Sequence, residues 1–174
     1  MRLFELGARA PRRRHLCDQA RPHLEDLVTQ TRSAVHLVLL EGLDALVLEH
    51  LTAPGHGAHG SDVGCRLPLH CSAAGRALLA HGPGDLVRQV LARGLPRRTP
   101  RTDTTAAGLA RALERARARG VAVEVEELAL GYVAVGAPVL DPAGRVAAAV
   151  SATVPTHAAD VGLLARRRWP WRRP

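Results

Sequence analysis

Apolar and polar positions divide the chain into a helical segment, a strand pair, a block of helices and a second block of strands. In residues 2–31 the apolar positions recur at helical spacing, with Glu25 and Asp26 on the opposite side. The apolar face of the second half comprises Leu16, Ala20, Leu24, Leu27 and Val28. Pro11 lacks a backbone N–H, and its ring clashes with the preceding turn. We therefore predict two helical pieces, with a break or kink at Pro11.

From Ala34 the period changes to that of strands. The segments AVHLVLLE and ALVLEHLT flank the turn residues 42–44 and predict a hairpin. The Gly- and His-rich segment APGHGAHGSDVG, residues 53–64, predicts a loop.

Three helices are predicted next: residues 72–81 with Ser72 as N-cap, a short helix around Leu86–Leu91, and a third from about Thr105 to Arg119. Residues 94–104 between the last two predict a loop, and Gly120 suits the position after the third helix, whose inward face is Leu109, Leu113 and Ala116.

The strand pattern then returns for the rest of the predicted domain. Val121, Val123 and Val125 alternate with Ala122, Glu124 and Glu126, which predicts a half-buried strand. Two further strand segments, YVAVGAPVL and RVAAAVSATV, flank residues 141–144, whose order Asp-Pro-Ala-Gly suits a type I turn. Strands in blocks, rather than alternating with helices, favour the α+β class with an antiparallel sheet.

Composition narrows the class of protein. A length of 174 residues fits one domain with a short appendage, and an aromatic content of 2% excludes aromatic platforms for stacking bases. The longest apolar run, Val133 to Leu140, is far shorter than a membrane span, and no apolar segment follows Arg12–Arg14 as in a secretory signal. The expected compartment is the cytoplasm, where the three cysteines are expected to be reduced thiols.

The net charge of +8 lies at the two ends of the chain. Residues 1–16 carry +4 and residues 161–174 carry +5, which leaves −1 for residues 17–160. Nonspecific binding to nucleic acid depends on clustered cations. We therefore expect the folded body to bind phosphate poorly.

Four segments resemble a known family in order and spacing. They are RPHLEDLVTQTRSAVHLVLLEG (residues 21–42), RLPLHCSAAGRALLA (66–80), RARGVAVEVEELALG (117–131) and APVLDPAGRVAAAVSATVP (137–155). Together they resemble the effector-binding domain of IclR-type bacterial transcriptional regulators, and the resemblance covers about residues 2–156.

The resemblance implies a linker helix followed by a ligand-sensing domain of GAF-like fold, an antiparallel sheet with flanking helices. We expect linker and entry helices in residues 1–31, the effector-binding domain in residues 32–156 and an atypical Arg/Trp-rich tail in residues 157–174. In the family a winged helix-turn-helix precedes the linker, and no such head fits before Ala34. A misassigned start, a trimmed chain or a remnant would each explain its absence, and a frameshifted or truncated end would explain the tail, which we expect to be disordered.

The start of the helix at Ser72 is the main candidate site. The first amides of a helix have no intrahelical partner, so Ala73, Ala74 and Gly75 could donate to a carboxylate. The resemblance implies that small organic acids bind there, with polar groups from later strands. The positions it implies are Ala73, Ala74, Glu124, Ala134, Ser151 and Thr153; Ala134 stands where some members have Cys, and Glu124 where Asp is frequent. Alternatively, Ser72 only caps a helix, and Ser151 and Thr153 are ordinary strand residues.

Two catalytic alternatives are weaker. His70 and Cys71 could form an activated thiol, but neighbours on an extended segment point to opposite faces. His50, His56 and His59, with Cys65, could bind zinc, but their spacing matches no standard site.

The function that the sequence favours is a small-molecule sensor without catalytic residues, cofactor or metal. Its expected partners are an organic-acid effector and a second copy of the chain, with no membrane, and DNA only through the missing head. The alternatives are a small Cys- or metal-dependent enzyme and a nonfunctional truncated regulator.

Overall fold

The computed structural model describes residues 2–53 and 61–159, with side-chain positions from residue 13 onward. Residues 54–60 of the predicted Gly/His-rich loop, which include His56 and His59, lie outside the described residues, as do residues 160–174 of the predicted tail.

Four helices and six strands make up the α+β fold. The helices are α1 (Arg2–Thr31), α2 (Ala73–His81), α3 (Leu86–Arg93) and α4 (Ala106–Arg119). The strands are β1 (Ala34–Glu41), β2 (Asp44–Leu51), β3 (Arg66–Pro68), β4 (Ala122–Val125), β5 (Tyr132–Leu140) and β6 (Val146–Pro155), followed by a 3-10 turn at Thr156–Ala158. None of the helices within the described residues has the length and apolar character that a bilayer crossing requires.

The strands form one antiparallel sheet in the order β3-β2-β1-β6-β5-β4. The predicted hairpin is β1–β2, and the predicted meander is β4–β5–β6. A turn joins β5 to β6, in which the Gly144 N–H donates to the Asp141 carbonyl at 2.9 Å. The pairing of β1 with β6 joins the two blocks of strands into one sheet.

The sheet carries a separate apolar core on each face. On one face, Leu24, Leu27 and Val28 of α1 pack against buried residues of β1, β5 and β6. On the other, α2, α3 and α4 pack against Val38, Val47 and Ala149 among others. The inward positions predicted for α1 and α4 are confirmed, and Glu25 and Asp26 are exposed.

The predicted break at Pro11 is wrong. Helix α1 is assigned without interruption from Arg2 to Thr31, through Pro11 and through a second proline at position 22. A proline removes only one intrahelical hydrogen bond. The hydrogen bonds on either side continue the helix, and the packing of its C-terminal half against the sheet stabilises it.

The segment 121–125 is buried on both faces rather than on its valine face alone, since Val121 and Val123 pack with the core on the α1 side of the sheet. Ala122 and Glu124 are buried toward α2, whereas Val125 is 39% exposed. Since β4 is at the edge of the sheet, its outer end is covered on one side only. A short strand, β3, was not predicted; it pairs with β2 just before α2.

Candidate functional site

A cavity of about 380 Å³ lies between the start of α2 and the sheet. Seven of the eight residues predicted for the site line it: Ser72, Ala73, Ala74, Glu124, Ala134, Ser151 and Thr153. The volume is in the range of sites that bind small molecules. The fold therefore brings together residues that are up to 81 positions apart in the sequence.

Ser72 is the N-cap of α2, as predicted. Its Oγ donates to the Pro68 carbonyl at 2.6 Å and accepts from the Gly75 N–H at 3.2 Å. Gly75 is the eighth predicted residue, and its proposed role as a free amide donor is wrong, because the cap uses its N–H and it does not line the cavity. The remaining donors at the helix start are the amides of Ala73 and Ala74, for which the described residues supply no acceptor.

A glycine in β5 allows the start of α2 to lie directly on the sheet. A Cβ at Gly136 would come within 2.5 Å of the Ala73 carbonyl carbon and 2.7 Å of the Ala74 nitrogen. Real Cβ atoms do not approach backbone this closely, so a residue with a side chain would displace the helix. The absence of a side chain at Gly136 therefore lets the start of α2 lie close to β5. On the adjacent strand β6, Ser151 pairs with Gly136.

Glu124 is 3% exposed and lines the cavity. Its carboxyl group also accepts hydrogen bonds from the loop that follows β4. Its Oε1 accepts from the backbone N–H groups of Glu127 and Leu128 at 2.6 and 2.9 Å. Burial raises the pKa of the Glu124 carboxyl to about 7, against the opposing effect of these two hydrogen bonds. Near neutral pH this wall of the cavity therefore exists in both the charged and the protonated form.

A buried ion pair holds α2 to the same loop. The Arg76 guanidinium donates to both carboxylate oxygens of Glu127, at 2.7 and 2.6 Å, and to the carbonyls of His70 and Val123. A buried arginine that makes a bidentate pair with a carboxylate fixes the orientation of the elements that it joins. This pair was not predicted, because the acidic partner lies 51 positions away.

His36 is a cavity residue that sequence reasoning missed. It is 4% exposed and its ring stacks on that of His50, with centroids 4.4 Å apart and planes inclined by 11°. Burial, and to a smaller extent His50, lower the pKa of His36 to about 3, so the imidazole is neutral at physiological pH. One signal was present in the sequence: His36 is the single polar residue between Ala34 and Leu40 of an otherwise apolar strand.

The geometry does not support the thiol alternative. Cys71 is fully buried, and burial raises the pKa of its thiol to about 12, so it is not a thiolate at neutral pH. The His70 Nε2–H donates to the Pro96 carbonyl at 3.0 Å. Cys17, Cys65 and Cys71 are all free thiols, as expected.

The predicted zinc ligands are only partly described. Within residues 2–53 and 61–159, no cluster of three or more His, Cys, Asp or Glu residues is arranged to hold a metal ion. His50 stacks on His36, while His56 and His59 fall in the segment that the structure does not describe.

Comparison with known proteins identifies the family and the fold. Residues 8–160 match the family described as "Bacterial transcriptional regulator IclR C-terminal". The chain belongs to the IclR family. Its described fold is thus that of an IclR C-terminal domain, and the resemblance read from four sequence segments is confirmed.

Named IclR-family relatives are transcriptional regulators rather than enzymes. The chain is 37% identical over 154 residues to the HTH-type transcriptional regulator BhcR of Paracoccus denitrificans, covering 88% of this chain and 55% of BhcR. It is 30% identical over 155 residues to the HTH-type transcriptional repressor AllR of Escherichia coli K12, covering 88% of this chain and 57% of AllR. The chain therefore spans a little over half the length of these curated relatives.

One solved relative was determined with a bound ligand. The structure of an IclR homolog complexed with 4-hydroxybenzoate, from Microbacterium hydrocarbonoxydans, superposes with a TM-score of 0.82 at 33% identity. The match covers 91% of this chain and 66% of that chain.

Proposed function

We propose that this chain is the effector-sensing part of an IclR-type transcriptional regulator and that it binds a small organic acid in the cavity at the start of α2. The observation that carries the proposal is the pair of unpartnered amides of Ala73 and Ala74 on the cavity wall. Amides at a helix N-terminus bind anions, because their N–H groups and the helix dipole both favour negative charge. A carboxylate is the simplest organic anion that fits.

The polar groups beside these amides favour an acid that carries further oxygen atoms. Ser151 pairs with Gly136 on the adjacent strand, and its hydroxyl has no hydrogen-bond partner among the described residues, while Thr153 lies two positions along the same strand. Glu124 in its protonated form donates a hydrogen bond, and in its charged form accepts one from a hydroxyl. Hydroxy acids, keto acids and aromatic acids are therefore the expected effectors, a class to which the ligand of the Microbacterium relative belongs.

Within this proposal, reading of DNA is assigned to a winged helix-turn-helix that the described residues do not form. Residues 2–33 contain the single helix α1, and the matched family region is the C-terminal one. The division into residues 1–31, 32–156 and 157–174 stays a prediction, and so does regulation of transcription by the whole protein, for which the relatives' names are the support.

The proposal predicts that filling the cavity abolishes acid binding. Ala134 lines the cavity and lies on β5 between Glu124 and Thr153 in the register, so Ala134→Leu places three extra carbons in the space for the ligand. Calorimetry with a panel of hydroxy, keto and aromatic acids should show binding to the unaltered chain and a loss of about tenfold or more in the variant.

Ala110→Leu is the matched control, since it makes the same substitution on the exposed side of α4. It should leave acid binding unchanged. Ala74 is less suitable for this test because it also packs in the apolar core beneath α2. Absence of binding by every acid, or equal binding by the Ala134→Leu variant, would contradict the proposed site.

A further inference from the structure

The imidazole of His36 lines the effector cavity and has no hydrogen-bond partner at Nε2 among the described residues. A buried nitrogen without a partner costs free energy that a hydrogen bond would recover. Its neighbour in the stack, His50, is also unpartnered at Nε2 but does not line the cavity. A neutral imidazole has one donor and one acceptor nitrogen, and rotation about Cβ–Cγ changes which edge faces the cavity.

The strand register places His36 at a definite distance from the helix start. Gly136 pairs with Ser151, and Ser151 pairs with His36, so the three residues lie in a row across β5, β6 and β1. The peptide group that joins Ala73 to Ala74, including the Ala74 N–H, lies against Gly136 at one end of this row. Adjacent strands are about 4.8 Å apart, so His36 is roughly 10 Å from that end, with Ser151 midway.

This spacing determines the size of a molecule that contacts both ends. With a hydrogen bond of about 2.8 Å at each end, the polar atoms of the ligand are separated by about 4 Å if both hydrogen bonds lie along the row, and by up to about 7 Å if both are steeply inclined to it. An acid of two carbons is too short for this span. A carboxylate with a hydroxyl or carbonyl across an aromatic ring, or at the end of a short chain, spans it.

The electrostatics of His36 favour an uncharged group. Its pKa is lowered by burial first and by His50 second, so the ring carries no positive charge to attract a second carboxylate. The charged groups that line the same cavity are Glu124 and the arginines Arg66 and Arg98, and both arginine residues are exposed. At His36 the cavity wall therefore offers a hydrogen bond and no net charge.

We propose that His36 is a specificity-determining residue that hydrogen-bonds an uncharged polar group of the effector, a hydroxyl or carbonyl, at the end opposite the carboxylate. This inference rests on the proposed function, since it takes the carboxylate at Ala73 and Ala74 as the other end of the ligand.

Benzoate and its three monohydroxy derivatives test the distance between the carboxylate site and His36. Benzoate, 2-hydroxybenzoate, 3-hydroxybenzoate and 4-hydroxybenzoate share the carboxylate and the ring, and differ only in where a hydroxyl lies. Calorimetric titration of the full chain should give the tightest binding for 4-hydroxybenzoate, by roughly 3- to 10-fold over benzoate, as expected for one hydrogen bond.

Two substitutions at position 36 separate hydrogen bonding from packing. His36→Phe keeps a flat ring to stack on His50 but removes both nitrogens, and should abolish the preference for the 4-hydroxyl while leaving benzoate affinity within about twofold. His36→Gln retains a donor and an acceptor and should keep part of the preference. His50→Phe is the matched control, since it changes the other ring of the stack and should leave the preference intact.

Each outcome distinguishes the inference from the function on which it rests. If benzoate and 4-hydroxybenzoate bind the unaltered chain equally, or if His36→Phe leaves their ratio unchanged, the role of His36 is wrong and the carboxylate site stands. If none of the four acids binds, the role of His36 and the carboxylate site at Ala73 and Ala74 are both wrong for aromatic acids. Thermal unfolding of each variant shows that it is folded; should His36→Phe fail to fold, the ratio in His36→Gln against that in His50→Phe decides the question.

Discussion

At the scale of single residues, burial opposes charge at two titratable groups on the cavity wall. Glu124 is held near its midpoint at neutral pH, since its pKa is raised to about 7, and His36 is held neutral, since its pKa is lowered to about 3. Burial is the largest cause in both cases. At these two positions the wall therefore presents little fixed charge to a ligand, and the permanent charges of the lining are those of the exposed Arg66 and Arg98.

The raised pKa of Glu124 predicts a dependence of folding stability on pH. Between about pH 4.5 and pH 7 the folded chain retains a proton that the unfolded chain has released, so Glu124 lowers the free energy of unfolding as pH rises through this window. This decrease in the free energy of unfolding is complete above about pH 7 and amounts to at most about 3 kcal/mol. Glu124→Gln, which still accepts from the Glu127 and Leu128 amides, should remove this loss.

The measurement is the difference in Tm between Glu124→Gln and the unaltered chain from roughly pH 4 to pH 8, which covers the titration of the Glu124 carboxyl. His36 acts in the opposite sense: its lowered pKa removes stability as pH falls from about 6.5 toward 3, but this effect is common to both proteins and cancels in the difference. Glu114→Gln, on an exposed position of α4, is the control. A flat difference curve for Glu124→Gln would show that the carboxyl titrates normally.

At the scale of elements, the site depends on how closely α2 approaches β5. The helix start is held by its Ser72 cap, by the Arg76–Glu127 ion pair and by the absence of a side chain at Gly136. The ion pair joins α2 to the loop after β4, and Glu124 joins the same loop to β4 itself. A ligand between them contacts elements that are already positioned.

Adding one methyl group at Gly136 is expected to disturb this arrangement. The new Cβ in Gly136→Ala would lie 2.5 Å from the backbone of Ala73, so helix or strand must shift, at a cost of about 1 to 3 kcal/mol. A fall in Tm of roughly 2 to 12 °C is expected, together with weaker acid binding. Gly84→Ala is the control, because a Cβ there meets no atom within 4 Å. Equal Tm values for the two variants would contradict the close approach.

At the scale of the whole molecule, the sheet is covered on both faces, and large apolar side chains remain exposed beside both of its edge strands, β3 and β4. The large exposed hydrophobic residues among those described are Val63, Val125 and Leu130, none of them on a helix. Val125 ends β4, an edge strand, and Leu130 is in the loop that follows it. An edge strand beside exposed apolar side chains favours contact with a second copy of the chain.

One experiment tests both assembly and DNA binding. Light scattering coupled to size exclusion, with and without a short DNA duplex at physiological salt, should give a mass above that of the 18.6 kDa monomer. The duplex should elute separately, because residues 17–160 carry a net charge of −1 and the cations lie toward the ends of the chain. A strict monomer would contradict self-association, and a salt-resistant, sequence-specific complex would contradict weak DNA binding.

Local chemistry in the sequence determined the elements of the fold. The caps at Ser72 and Gly120, the turn at residues 141–144 and the periods of α1, α4 and the strands depend on residues a few positions apart, so they could be predicted without a tertiary structure. Seven of the eight predicted site residues line one cavity, and these followed from the family resemblance and the helix start at Ser72.

Only the tertiary structure decided which face each element presents and what lies against it. The contact of Gly136 with α2 and the place of His36 on the cavity wall depend on partners 62 and 115 positions distant. The inward turn of Glu124 depends on the packing of α2 near β4, and Gly75 was excluded by competition for its amide. Continuation of α1 through Pro11 likewise depends on the whole helix rather than on one residue. Periodicity identifies strands and helices, but burial is determined by distant segments, which a local pattern does not contain.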